Sequence, residues 1–447
     1  MFAYLARALA PAPHIDRLPD DEVARRYPRL RLAVLESTFI GYATFYLVRN
    51  NLSPVAPDIE TAMGYGHDDI GNILAITAIT YGLGKFVMGA LSDRSNPRVF
   101  MALGLVLTAI LNVTFGCVGG YWIHFILWGL NGFVQGMGWP PCGRSIGHWY
   151  SARERGSVFA IWNIAHNVGG GLAGVIAAWS ASMLGWRYAF HVPAVIAVVC
   201  AVYIYFRLED TPQSVGLPAI EEYRDDYPED GGKPHETELS FRELVVENVL
   251  KNKLLWLFAL ANLFVYVTRY AMLDWGPTYL REMKGASATT GGWALFAIEF
   301  GGIPSTLLMG WLSDRLGGRR GFVSMICMIP VFLCFLGLLI TPPGAVWIDF
   351  VLLTLVGLFV YPPVMLLGVS ALDLTSKKAV GTAAGFVGLF GYIGRSAQAK
   401  GFGYMLHHYG KTLGPAAAWR MVFIAILACA AVSIVLLAFT RHVKPRG

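Results

Sequence analysis

Charge is scarce in this sequence. Of 447 residues only 14% are Asp, Glu, Lys or Arg, while 55% are hydrophobic and the mean hydropathy is +0.52. A water-exposed surface cannot be built from so few charges, so a set of soluble domains is excluded and the main solvent is expected to be lipid. Cysteine is also sparse. The six residues Cys117, Cys142, Cys200, Cys327, Cys334 and Cys429 all fall in or at the ends of apolar segments, with no C-x-x-C and no matched His cluster, so neither disulfides nor a metal site is expected. No G-x-x-x-x-G-K-[ST] occurs. The chain therefore has no ATP phosphate cradle of its own, and the energy for anything it moves should come from a gradient. The first thirty residues lack the apolar core and small-residue cleavage site of a signal peptide, so no cleavage is expected.

What the chain has instead is long apolar runs, each of roughly twenty residues, the length needed to cross about 30 Å of hydrocarbon as a helix. The predicted spans are 33–50, 69–91, 99–118, 121–142, 157–180, 187–206, 254–280, 290–312, 321–341, 346–370, 380–404 and 418–440. The expected fold is all-α and integral to a membrane, with twelve transmembrane helices in two pseudo-symmetric halves, 1–207 and 253–447. The polar stretch 208–252 between them is rich in acids, Pro and Gly and reads as a solvated tether. Lys and Arg cluster on one side, in "RRYPRLR", "DRSNPR", the "RER" of 153–155, "DRLGGRR", "KK" at 377–378 and the tail "RHVKPRG". Loops 51–68 and 342–347 carry neither. Both termini are therefore predicted to be cytoplasmic, and the net charge of +6 needs no nucleic-acid partner to explain it.

The two halves repeat. "GALSDRSNPR" at 89–98 and "GWLSDRLGGRR" at 310–320 share Gly-x-Leu-Ser-Asp-Arg, with Asp93 and Arg94 matching Asp314 and Arg315. At an offset of 220, "YLVRNNL" meets "YVTRYAM", so Tyr46 matches Tyr266 and Arg49 matches Arg269. A pseudo-twofold transporter places its substrate between the halves near mid-bilayer, and an arginine inside the membrane is costly unless it meets water, a partner or a substrate. Two arginines facing each other suit an oxyanion such as phosphate, because guanidinium is planar, permanently charged and bidentate. His166 could follow phosphate between its ionisation states or simply be structural. Lys85 could join the site or snorkel to the membrane edge. Asp274 and Glu299 read as gates or counter-charges to the cations, Arg395 as a further cation, and Tyr42, Tyr46, Tyr81, Tyr266 and Tyr361 as hydroxyls at cavity depth or as lipid-facing aromatics. Four cations against two carboxylates leave an excess positive charge that a dianionic phosphate ester would neutralise and a sugar would not.

The Asp-Arg loop resembles the signature loop of the major facilitator superfamily, where it is taken to act as hinge and cytoplasmic latch. Beyond that loop, "GYATFYLVRN", "LSDRSNPRVF", "QGMGWPPCGR", "WNIAHNVGGG", "DTPQSVGLPAIEEYRDDYPED", "LDWGPTYL" and "GTAAGFVGLFGY" closely resemble the organophosphate:phosphate antiporter family. The resemblance implies a monomeric carrier without cofactor in a bacterial inner membrane, exchanging cytoplasmic phosphate for an external organophosphate, with glycerol-3-phosphate favoured. Arg49 and Arg269 would form the phosphate site, with His166, Lys85 and Tyr266 nearby. Hexose-phosphate or phosphoglycerate exchange, and a sugar-phosphate sensor that does not transport, are the alternatives. Proton-coupled symport would instead call for a titratable carboxylate at the cavity centre. Two positions depart from the glycerol-3-phosphate pattern: Asn50 stands where a lysine follows the first arginine, and "GYIGR" adds Arg395 where "GYLGG" is usual. If Arg395 faced the cavity unpaired, a substrate with a second anionic group would become plausible.

Overall fold

The computed structural model describes residues 9–92, 94–226, 249–342, 344–374 and 380–444. Fifteen α-helices make up most of that chain. The amino-terminal half holds α1 (Asp20–Leu47), the short α2 (Ala56–Met63), α3 (His67–Ser92), α4 (Pro97–Cys117), α5 (Tyr121–Gln135), α6 (Trp139–Trp149), α7 (Ala152–Leu184) and α8 (Tyr188–Arg207). After the short α9 (Ile220–Arg224), the carboxy-terminal half holds α10 (Lys253–Lys284), α11 (Ala288–Arg315), α12 (Arg320–Ile340), α13 (Val346–Asp373), α14 (Val380–Leu413) and α15 (Pro415–Phe439). Nine of these are long and apolar enough to cross a membrane by themselves. The remaining predicted spans coincide with α1, which begins in a polar stretch, with α5 and α6, and with α14.

Local chemistry sets the helix ends. Asn96 caps α4 by accepting the Arg98 N–H at 3.1 Å, with Pro97 in the first turn where its missing donor is not needed. Asn252 and Ser287 cap α10 and α11 in the same way. The fourth span, expected as one helix over 121–142, is broken: α5 stops at Gln135 and α6 restarts at Trp139. The intervening "GMG" and the pair Pro140–Pro141 account for the break, since glycine weakens a helix and proline fits only its first turn.

The halves meet along two helix pairs, α7 with α11 and α3 with α14, and α10 packs against α14 within its own half. The expectation of a free solvated tether at 208–252 is corrected over its first part. Asp210 is buried and takes the Ala12 N–H at 2.9 Å and the Arg144 guanidinium at 2.9 Å, while the Trp149 indole donates to its carbonyl. Tyr27 donates to the Pro218 carbonyl and stacks on Tyr223 at 3.9 Å. Leu208, Leu217 and Ile220 are apolar enough to dock this segment beneath the amino-terminal half despite the acids around them. Residues 227–248 lie outside the described residues, as do Asp93 and the 377–378 lysines.

Candidate functional site

Arg49 sits just past the end of α1, where the chain leaves the helix, and is only 6% exposed. Its guanidinium lies 3.8 Å from the Tyr46 ring centre and 4.7 Å from that of Tyr81 on α3. Arg269 is in the middle of α10, 5% exposed, and lies 4.4 Å from the Tyr361 ring of α13, with Tyr270 at 4.9 Å and Tyr266 at 6.0 Å. Each guanidinium is thus held against aromatic faces of its own half, whose ring quadrupoles attract the charge without neutralising it. The Nε of each is buried with no hydrogen-bond partner among the described residues. A buried donor on a charged group with nothing to donate to is costly, and an anion would relieve it.

The remaining tyrosines build the wall around these cations. Tyr42 stacks on Trp162 at 4.7 Å and meets Tyr46 edge-on at 5.4 Å. Tyr81 meets Tyr392 of α14 at 5.3 Å across the halves, and Tyr392 in turn meets Tyr266 at 5.9 Å. His166 lies 5.9 Å from both Tyr46 and Tyr361, again one ring from each half, and its Nδ1 is directed at the Asn163 carbonyl one turn back. A neutral His166 would donate from Nδ1 there, turning Nε2 away from its own backbone.

The two carboxylates differ from each other. Glu299 on α11 accepts from the Tyr361 hydroxyl and, at 3.2 Å, from the Asn167 amide of α7, which also reaches the Glu299 carbonyl at 2.9 Å. This contact joins the halves at the depth of the site. A Cβ at Gly170 would stand 2.7 Å from the Glu299 carboxylate, so a larger residue there would force that side chain to shift. Asp274, about one and a half turns beyond Arg269 on α10, accepts from Gln398 at 2.6 Å and from Arg395 at 3.4 Å. Arg395 is therefore paired with Asp274 of the neighbouring helix and does not face the cavity without a counter-charge; it also lies 4.0 Å from the Tyr270 ring.

Arg49, Asn50, Asp274, Glu299, Arg395 and Tyr270 line one small cavity between the halves. Arg269, His166 and Lys85 are not among its lining residues: Arg269 and His166 stand among the tyrosines already described, whereas the Lys85 ammonium lies 5.2 Å from the Trp139 ring, nearer the end of the bundle where α1 begins. In the second Asp-Arg loop, Asp314 pairs with Arg320 and Arg315 lies 4.1 Å from Trp311. Arg94 is exposed and continues the turn after α3. Sequence reasoning does not single out Tyr270, Tyr392, Asn167 or Gln398. The first two neighbour motif residues, Arg269 and the "GYIGR" glycines, and could be found there; the two amides carry no local signal.

The Major Facilitator Superfamily profile matches residues 38–399. A glycerol-3-phosphate transporter of Bacillus subtilis (strain 168) is 45% identical over 446 residues, covering 98% of this chain and 98% of its own. The membrane sensor protein UhpC of Escherichia coli (strain K12) is 36% identical over 427 residues, covering 95% of each. Among solved structures, an inward-facing, unoccupied bacterial homologue of the human lysosomal transporter Spinster superposes with a TM-score of 0.75 at 15% identity, covering 92% of this chain and 97% of the other, which bears on the fold alone. The buried arginine pair, the helix arrangement and these relatives agree: the chain belongs to the Major Facilitator Superfamily and, within it, to the organophosphate:phosphate antiporter family.

Proposed function

We propose that this multi-pass membrane protein exchanges inorganic phosphate for an organophosphate, with Arg49 and Arg269 holding the phosphoryl group from opposite halves. The observation that carries the reading is the pair itself: two buried guanidiniums, one from each half, each against tyrosine faces and each with an Nε lacking a partner among the described residues. With no anion present, bringing the halves together would press two desolvated cations toward each other. With phosphate between them the same motion becomes attractive, so an empty carrier stays put and a loaded one reorients. Movement of the halves as largely rigid bodies around this site, and a cytoplasmic location for the basic face and both termini, complete the proposal.

Glycerol-3-phosphate is the favoured organic substrate. The Bacillus subtilis relative is named for it, and the Asp274 contact gives Arg395 a counter-charge inside its own half. A substrate with a second anionic group would have to displace Asp274 to use Arg395. The sensor relative motivates the second reading, binding and signalling without exchange. Proteoliposomes loaded with labelled phosphate separate the two: efflux should start on adding external glycerol-3-phosphate. Binding of the ester with no dependence of efflux on it would replace exchange by sensing.

A further inference from the structure

On the face where α1 ends and α3 begins, three ion pairs among the described residues join the halves: Asp58 with Arg281 at 2.6 Å, Glu282 with His67 at 3.1 Å, and Asp68 with His407 at 2.9 Å. The middle pair is the centre of a larger arrangement. His67 is the first residue of α3, and its Nδ1 meets Glu60 Oε1 of α2 at 2.7 Å while its Nε2 meets Glu282 Oε1 of α10. The other Glu282 oxygen accepts the Trp419 indole N–H of α15 at 2.8 Å, and Trp275 meets the imidazole edge-on at 6.2 Å. One ligand atom each from Glu60, His67 and Glu282 lies within 4.8 Å of the others. All three residues line an open cavity of about 670 Å³, together with His407 and Lys411.

We infer that Glu60, His67 and Glu282 form a binding site for a divalent transition-metal ion of the zinc class, and that the ion ties this face of the protein shut. One imidazole nitrogen and two carboxylates match the mixed nitrogen and oxygen ligands zinc takes, and water would complete the tetrahedron. Both ring nitrogens face carboxylates, an arrangement that needs the ring to carry two protons. A dication entering the cluster takes the place of one of those two ring protons: the proton leaves to water, the freed nitrogen binds the metal, and the two carboxylate charges are matched by the ion. The indole on Glu282 holds the carboxylate in place, as partners of metal ligands commonly do. No spacing motif announces the site, because Glu60 and His67 come from one half and Glu282 from the other.

Ligands drawn from both halves make the ion a clamp. Opening this face separates Glu282 from His67, so bound metal favours the closed arrangement by its affinity for it. The site shares no residue with the cavity that Arg49 lines and does not depend on the substrate proposed above. Isothermal titration of the purified protein with zinc chloride reads it directly, and phosphate counterflow in proteoliposomes reads its consequence. Wild-type protein should bind one zinc ion per chain, and micromolar zinc added on this face should slow counterflow, with recovery on adding a chelator and no slowing by magnesium. Glu282→Gln and His67→Gln, which remove ligands outright, should weaken zinc binding by more than the roughly ten- to hundred-fold that loss of a mere partner of a ligand costs, while Asp58→Asn, on the same face but outside the cluster, should not. Absence of zinc binding in the wild type, or binding undiminished in both cluster variants, overturns the site. Binding that leaves counterflow unchanged overturns the clamp. Because titration does not require transport, these outcomes stand even if a variant fails to exchange, and a wild type that binds zinc but never exchanges phosphate would instead overturn the function proposed above.

Discussion

The two halves carry the same Tyr-x-x-Arg, yet they set it in different company. Arg49 stands in the turn after α1 against the Tyr46 and Tyr81 rings, and among the described residues that line the cavity no carboxylate comes from its own half. Arg269 sits mid-helix among three tyrosines, and its half adds the pair Asp274–Arg395 and the hydrogen-bonded Glu299. A shared motif thus sets where a charge stands, and the surrounding helices decide how far it is compensated. The carboxy-terminal half nearly balances its own charges. The amino-terminal half presents a cation backed only by aromatic faces, so the anion should depend on Arg49 more than on its counterpart.

Replacing each arginine by lysine tests that asymmetry with the largest effect. The charge stays but the planar fork is lost, and a hydrogen bond to a charged group contributes about 1.5–3 kcal/mol, or roughly ten- to a hundred-fold in affinity. Arg49→Lys should weaken phosphate binding and counterflow more than Arg269→Lys. Equal losses would make the halves equivalent, and near-normal exchange in both would remove the pair from the site.

Self-compensation in the carboxy-terminal half is sharpened by a double-mutant cycle. Asp274→Asn leaves Arg395 buried without its counter-charge and should lower the melting temperature in detergent. Adding Arg395→Gly should recover part of the loss, with a coupling of about 1 kcal/mol. Strict additivity would mean that the 3.4 Å contact does not hold the two charges together. Inhibition of exchange by 3-phosphoglycerate, compared in wild type and Arg395→Gly, then reads whether Arg395 serves a second anionic group. No difference is expected while Asp274 holds it.

His166 should give the smallest effect. It belongs to the amino-terminal half but lies as near to Tyr361 as to Tyr46. If His166 is protonated when the anion is held, its charge adds attraction and wild-type affinity should fall as pH rises, beyond the change due to phosphate's own ionisation. In His166→Gln that extra dependence should vanish. Superimposable pH profiles would leave the histidine a purely structural part of the wall.

Much of the fold is legible because lipid makes hydropathy and helix length nearly synonymous with topology. The spans over 99–118, 187–206 and 321–341 lie within a few residues of α4, α8 and α12. Boundaries fail where backbone chemistry acts inside an apolar run, as at the glycines and prolines of "QGMGWPP" between α5 and α6. Composition misleads over 208–226 because it reports the acids there but not the partners that Arg144, Trp149 and Tyr27 offer the segment. For the site, Arg49 and Arg269 stand out because an arginine in an apolar run is expensive. Asn167 and Gln398 do not, because an amide carries no net charge to mark it and its partner lies on another helix.

The sequence by itself determined the membrane-spanning helices, the repeated arginines and the family, since each follows from local composition or from a string of adjacent residues. The tertiary structure alone decided which charges are matched. Arg395 meets Asp274 from 121 residues away, Asn167 meets Glu299 across 132, and Glu282 reaches His67 from the other half of the chain. Such pairings depend on how each helix is rotated about its axis and how closely glycine lets it approach its neighbour. Those are properties of packed pairs of helices, so neither partner's own stretch of sequence contains them.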